Sequence, residues 1–262
     1  MGPFTGTARY YSRCRPGLPL NVAEYLAQIA GSSPNNRLLD VGTGTGQVIE
    51  ALAGWFDDLI GIDPEMQMLE IAAENLRKPV YKRKLIRLFC SRIEDFEPPP
   101  DWLPHLTVFS RSFHWVDQDA TLLKLSGFAA PGGAVALLSD SSFDRGTADW
   151  QHAVMSLTKQ FLGEPQRAWA KQNPPFYRPW ADVLRASPFH SVEQASFPIT
   201  RVWTTESILG YLYSTSLASR TKFGDKICEF EDKLRQILLK ISPDDCFVEK
   251  DQWDVIVGRK DG

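Results

Sequence analysis

Apolar residues fall into two alternating rhythms along the first half of the chain. From Leu18 to Ala30, Leu18, Val22, Leu26 and Ile29 recur at helical spacing until Gly31-Ser32-Ser33-Pro34 stops the pattern, which predicts a first helix. Arg37-Leu38-Leu39-Asp40-Val41 is a short apolar run ending in glycines. Gln47 to Gly54 then reads as a helix and Leu59-Ile60-Gly61-Ile62 as a second buried strand. The alternation continues with a helix over Glu65 to Arg77, strands over Leu85 to Cys90 and Leu106 to Phe109, and a helix around Ala120 to Phe128. A strand over Ala134 to Leu138 follows the Pro131-Gly132-Gly133 turn. Each return to a parallel neighbour needs a crossover, so strands alternating with helices call for a parallel sheet covered on both faces.

After Ser139 the rhythm breaks. Asp149 to Leu162 is helix-like, residues 163–179 are rich in proline and aromatics, and Arg178 to Ala186 resumes as a helix that can pack on a sheet. Ser191 to Ile199 and Trp253 to Gly258 look like late strands, with helices over about Thr205 to Ala218 and Lys226 to Lys240 between them. The fold class expected is α/β: a doubly wound, mostly parallel seven-stranded sheet with a helical cap inserted at its carboxyl edge. The cap would comprise residues 141–177 and 200–242.

Composition narrows the function classes. A net charge of −3 and a pI near 5.9 give no basic field for nucleic acid, and Lys82-Arg83-Lys84 is a short run that reads as a solvated loop. Cys14, Cys90, Cys228 and Cys246 lie far apart with no C-x-x-C pair, which suggests reduced thiols in a cytoplasmic protein. No run of about 18 apolar residues occurs and the first 15 residues lack the apolar core of a secretion signal, so no membrane span is expected. His105, His114, His152 and His190 form no H-E-x-x-H pattern and pair with no cysteine, so no metal site is expected.

The chemistry concentrates in Asp40-Val41-Gly42-Thr43-Gly44-Thr45-Gly46. Glycines at every second position, after a strand and before a helix, let the backbone turn sharply and approach a ligand, as at a nucleotide site. A dinucleotide fingerprint wants G-x-G-x-x-G, whereas here the third glycine comes one residue early and an acid stands just before the loop. Asp40 would repel pyrophosphate but suits a ligand bearing an ammonium group. Asp63 ends the second strand, 17 positions after Gly46, where a carboxylate can accept both hydroxyl protons of an adenosine ribose or can instead cap the following helix.

Leu38 to Gly46 closely resembles the first motif of the class I methyltransferases, in particular the type 11 small-molecule group with its trans-aconitate methyltransferase-like enzymes. Gly61-Ile62-Asp63-Pro64-Glu65-Met66-Gln67-Met68-Leu69 resembles their second motif. Tyr11-Ser12-Arg13-Cys14-Arg15-Pro16 is similar to their Y-x-x-x-R-P segment, and Phe113-His114-Trp115 to an F-H-W segment after the fourth strand. The resemblance implies a Rossmann-like methyltransferase domain over 1–262, with residues 1–34 as a helical segment over the cofactor. The implied cofactor is S-adenosylmethionine, leaving S-adenosylhomocysteine (SAH) as product. Asp40, Gly42, Thr43, Gly44 and Gly46 would surround its methionine part, Asp63 the ribose, and Pro64, Met68, Arg92, Ile93 and Ser110 the rest of the nucleoside. Where relatives often carry a small or acidic residue this chain has Arg92. Its guanidinium and an adenine amino group are both donors, which leaves the Ile93 backbone N–H as the better contact. Tyr11 and Arg15, in a start that reads as mobile, would fold over the cofactor, with Arg15 forking to a carboxylate.

Methyl transfer asks a protein to align a nucleophile, exclude water and, where necessary, remove a proton. His114 is the candidate base or acceptor-binding group, since its ordinary pKa lies near neutrality; packing of the strand-to-helix turn is the alternative role. Phe113, Trp115, Trp203 and Tyr211 are candidate acceptor-binding residues, or core. Asn173-Pro174-Pro175-Phe176 spells a motif of amino methyltransferases but stands far from the fourth strand, and reads as a rigid turn. The expected function is methyl transfer to a small-molecule acceptor through oxygen, carbon or nitrogen, carboxylate oxygen being favoured, by a monomer or homodimer. The rival readings are an NAD(P)-dependent oxidoreductase and a non-methylating member that retains the cofactor.

Overall fold

The computed structural model describes residues 6–33, 35–140, 146–163 and 178–261. The elements in chain order are α1 (Ala8–Cys14), α2 (Leu20–Ala30), β1 (Arg37–Val41), α3 (Gln47–Leu52), β2 (Asp58–Asp63), α4 (Met66–Asn75), β3 (Leu85–Cys90), β4 (Leu106–Ser110) and α5 (Gln118–Ser126). Then follow β5 (Ala134–Asp140), α6 (Asp149–Leu162), α7 (Trp180–Arg185), β6 (Ser191–Trp203), α8 (Thr205–Tyr213), α9 (Ile227–Ile241) and β7 (Phe247–Arg259). The strands form one seven-stranded sheet in the order β3-β2-β1-β4-β5-β7-β6. The pairs β1–β2, β2–β3, β1–β4 and β4–β5 are all parallel, as the alternation of strands and helices requires.

Two compact units share the chain. The sheet unit comprises Gly17–Ser139, Asn173–Phe197 and Asp254–Gly262. Its core is built from the inner strands and the helices against them: Leu39, Val41, Ile60, Ile62, Phe109, Val135 and Leu137 from the sheet, Leu122 and Leu125 from α5, Val183 and Leu184 from α7. The central strands β1 and β2 are buried almost throughout, which is why they read as unbroken apolar runs. α5 starts where the Asp117 carboxylate accepts the Ala120 N–H at 3.0 Å, a cap that the apolar pattern alone does not mark.

The helical unit comprises Met1–Pro16, Asp140–Gln172 and Pro198–Trp253. Phe230, Leu234 and Leu238 give α9 a one-sided stripe that packs with Trp150, Val154 and Leu157 of α6 and with Ile208 and Leu212 of α8. At the start of the chain, within the segment expected to be helical, Ala8–Cys14 forms a helix lying against α8, where Tyr10 meets Tyr213 edge-on at 5.3 Å and Cys14 sits over the bare backbone of Gly210. α1 has no side-chain cap and no acid in its first turn, so its stability comes from that docking. β7 begins six residues before the predicted start, and α8 ends at Tyr213, short of Ala218. Asn173-Pro174-Pro175-Phe176 and most of 141–177 lie outside the described residues.

Candidate active site

β1 delivers Asp40 and β2 delivers Asp63 to neighbouring strand ends, because Asp40 pairs with Gly61 and Val41 with Ile62. Between them the glycine loop is pinned to β2: the Gly42 and Thr43 N–H groups both donate to the Ile62 carbonyl, at 2.9 and 3.0 Å. Gly61 makes room for this. A Cβ there would come within 2.8 Å of both Thr43 Oγ1 and Ile49 Cδ1, so the lone glycine in an otherwise branched strand marks a close backbone approach.

Asp40 is fully enclosed. The Thr43 hydroxyl donates to its Oδ2 at 2.7 Å, while Oδ1 is buried with no hydrogen-bond partner. Burial pushes its carboxyl up to about 7, the Thr43 hydroxyl pulls it down, and the Asp63 charge pushes it up again. A buried carboxylate oxygen without a donor is costly, and a cationic group arriving beside it removes that cost. Asp63 is also buried, its pKa raised by desolvation and restrained by two backbone donors: Gly44 N–H to Oδ2 and Glu65 N–H to Oδ1, each 2.9 Å. Each oxygen thus keeps a lone pair for a hydroxyl of a ligand. The helix-capping role and a ribose-binding role for Asp63 are compatible, since the Glu65 bond engages one lone pair of one oxygen.

These features fit S-adenosylmethionine, a cation with a ribose diol, better than a pyrophosphate, which would meet two buried acids. Met68 is buried on α4, Ile93 is buried, Ser110 ends β4 opposite Leu138, and Pro64 is exposed. Arg92 points to solvent, its guanidinium 3.9 Å from Glu94.

His114 lies at the centre of a single 3-10 turn, Phe113–Trp115, half-buried with its ring 5.3 Å from that of Trp115. Phe113 does not fit the expected acceptor-binding role: it is fully buried edge-on to Phe109 and Trp180, so its ring is enclosed by core. Four other expected residues, Tyr11, Arg15, Trp203 and Tyr211, lie in the helical unit. There the Arg15 guanidinium donates to Ser214 Oγ at 3.0 Å and to the Tyr211 hydroxyl at 3.2 Å, and lies over the Tyr211 ring at 4.6 Å. Trp203 is buried with its indole N–H donating to Glu249 at 2.9 Å, and Tyr211 is buried against it. Ser112, which no sequence motif singles out, is buried and donates to the Val41 carbonyl at 2.6 Å. No periodicity marks such a residue. Among the described residues no cluster of three or more His, Cys, Asp or Glu could hold a metal, and no helix is long and apolar enough to cross a membrane.

Residues 38–133 match the protein family described as methyltransferase domain. Over 127 residues the chain is 24% identical to a probable S-adenosylmethionine-dependent methyltransferase of Saccharomyces cerevisiae, covering 48% of this chain and 43% of that protein. It is 25% identical over 135 residues to an uncharacterized methyltransferase of Mycobacterium tuberculosis, covering 52% and 51%. The chain therefore spans about half the length of these curated relatives. A solved structure provisionally described as a type II methyltransferase, from Anaeromyxobacter dehalogenans, shares the fold with a TM-score of 0.59 at 23% identity, covering 95% of this chain and 99% of that one. The strand order and the two acids at the glycine loop accord with a class I, S-adenosylmethionine-dependent methyltransferase domain at residues 38–133, the stretch that the family model matches.

Proposed function

We propose that the protein moves a methyl group from S-adenosylmethionine to a small-molecule acceptor, at oxygen, carbon or nitrogen, with a carboxylate oxygen favoured as in the trans-aconitate enzymes its motifs resemble. The observation that carries this reading is the buried pair Asp40 and Asp63, the first with an unpartnered oxygen and the second with lone pairs free on both oxygens. When bound, the cofactor supplies a methyl group already activated by its sulfonium. Asp40, with Gly42, Thr43, Gly44 and Gly46 around it, receives the ammonium end. Asp63 orients the ribose, with Pro64, Met68, Ile93 and Ser110 beside the nucleoside. By the resemblance Tyr11 and Arg15 would serve the cofactor's carboxylate, and acceptor selection is assigned to residues 141–177 and 200–242. An acidic pI and widely spaced cysteines support action in the cytoplasm without nucleic acid, and we assign the chain to a monomer or homodimer.

His114, with Trp115 beside it, positions the acceptor and takes a proton where the acceptor carries one. A carboxylic acid needs no base, being ionised near neutral pH. His114→Gln should leave SAH affinity within about twofold while lowering kcat/KM at least about tenfold. The loss falls on kcat for a protonated acceptor and on KM for a carboxylate. Calorimetry with SAH, NADH and NADPH tests the reading as a whole. Binding of SAH alone is expected, together with transfer of label from methyl-labelled cofactor into a metabolite extract. Binding of a nicotinamide cofactor alone would overturn it, and SAH binding with no label moved would leave a protein that keeps the cofactor without methylating.

A further inference from the structure

The paired register of β1 and β4 ends at Asp40 and Val108, beyond which the two strands lead into separate loops. This is where the strand order reverses direction, the place at which open α/β sheets part to admit a ligand. One side chain bridges the parting strands. The Ser112 hydroxyl, from the turn after β4, donates to the carbonyl of Val41, the last residue of β1, at 2.6 Å. Its Cβ also fills the space beside the next residue: a Cβ built on Gly42, whose φ is +74°, would lie 2.5 Å from it.

Ser112 holds the other side of the crevice as well. Its carbonyl accepts the Trp115 N–H at 2.9 Å, closing the turn that carries His114, and the Arg111 N–H just before it is tied to the Leu138 carbonyl of β5 at 2.9 Å. Arg111 itself stands at φ +57°, a conformation that a side-chain-bearing residue adopts only where its surroundings impose it. The His114 turn is thus fixed to β5 on one side and, through the Ser112 hydroxyl, to the last residue of β1, directly before the glycine loop, on the other.

We propose that Ser112 is a positioning residue that sets the glycine loop and the His114 turn in one register, so that filling the cofactor side organises the acceptor side. This rests on the cofactor assignment above. Without the hydroxyl the Val41 carbonyl loses its donor and the two loops settle independently. Without the Cβ the loop loses the wall against which Gly42 is packed.

The test uses the full chain, SAH as probe, and the imidazole C–H resonances of the four histidines, with His114 assigned by its loss in His114→Gln. In the native protein SAH should shift the His114 signal. Ser112→Ala should weaken SAH binding about tenfold, and at saturating SAH should lose most of the His114 shift. Gly42→Ala should weaken binding further, and adding Ser112→Gly should recover part of that loss by removing the steric conflict. If Ser112→Ala does not fold, Ser112→Cys keeps the shape with a weaker donor and should give the same changes in smaller measure. Native SAH affinity in the variant with only a lowered Tm, or an undiminished His114 shift, overturns the proposal. Failure of the native protein to bind SAH overturns instead the function on which it stands.

Discussion

Asp63→Ala should lower SAH affinity by about a hundredfold, the loss of two hydrogen bonds to a charged acceptor at roughly 1.5 kcal/mol each. The same substitution strips the Gly44 and Glu65 N–H groups of their shared acceptor, so the glycine loop loses a tie to β2 as well. Against this, a buried carboxylate whose ionised form is disfavoured by desolvation disappears, so Tm should move by only a few degrees. Calorimetry with circular dichroism separates the two effects. Asp63→Asn is the control, since its carbonyl oxygen can still accept at one of the two positions. Native-like SAH affinity in the alanine variant would mean that the ribose lies elsewhere.

The second large effect is a pH dependence set by Asp40. With its carboxyl pushed up to about 7 in the unliganded protein, it holds a proton over much of the range below neutrality. An ammonium group favours the ionised form, so binding must expel that proton. SAH affinity should therefore fall up to about tenfold per pH unit below 7 and level off just above it. Proton release, read by calorimetry in buffers of different ionisation enthalpy, should accompany binding near pH 6.5 and vanish in Asp40→Asn. The stability of the unliganded protein runs the other way. A carboxyl raised in the folded state contributes stability that is complete below its unfolded value of 3.8 and is lost as pH rises towards about 7. At pH 8 that loss is on the order of 4 kcal/mol at most, so Asp40→Asn should melt above the native protein at pH 8 and alongside it at pH 4. Pure structural importance of Asp40 would instead lower Tm at both.

The sheet and the cofactor loop were legible because each has a signature confined to a short stretch. Leu38 to Val41 and Leu59 to Ile62 are buried on both faces and so are apolar at every step, and the glycines at 42, 44 and 46 announce a backbone that needs positive φ. What was not legible depends on partners distant in the chain. Ser112 acquires meaning only from Val41 and Gly42, some 70 residues earlier, through a pairing no local pattern encodes. α1 carries no cap or apolar periodicity of its own and is a helix because α8 offers it a surface. Trp203 and Tyr211 were candidate acceptor contacts on composition alone. An aromatic that walls a cavity and one that fills a core look the same in a sequence, and here Glu249 and Arg15 hold both in a packed interior. Phe113 differs from His114 beside it for the same reason: on one turn, one ring is enclosed by core and the other is half-buried.

The docking of Cys14 over Gly210 gives the first helix a built-in reporter. Burial holds that half-buried thiol above its ordinary pKa, and a methylene of any larger side chain at 210 would displace it, so an alkylating reagent should react with it more slowly than with an exposed thiol while the first helix stays docked. Cys90, Cys228 and Cys246 are exposed and should be consumed first. The slow fourth label then reports on the docking of residues 8–14, and its rate should rise in Gly210→Ala, where the added methyl displaces the thiol.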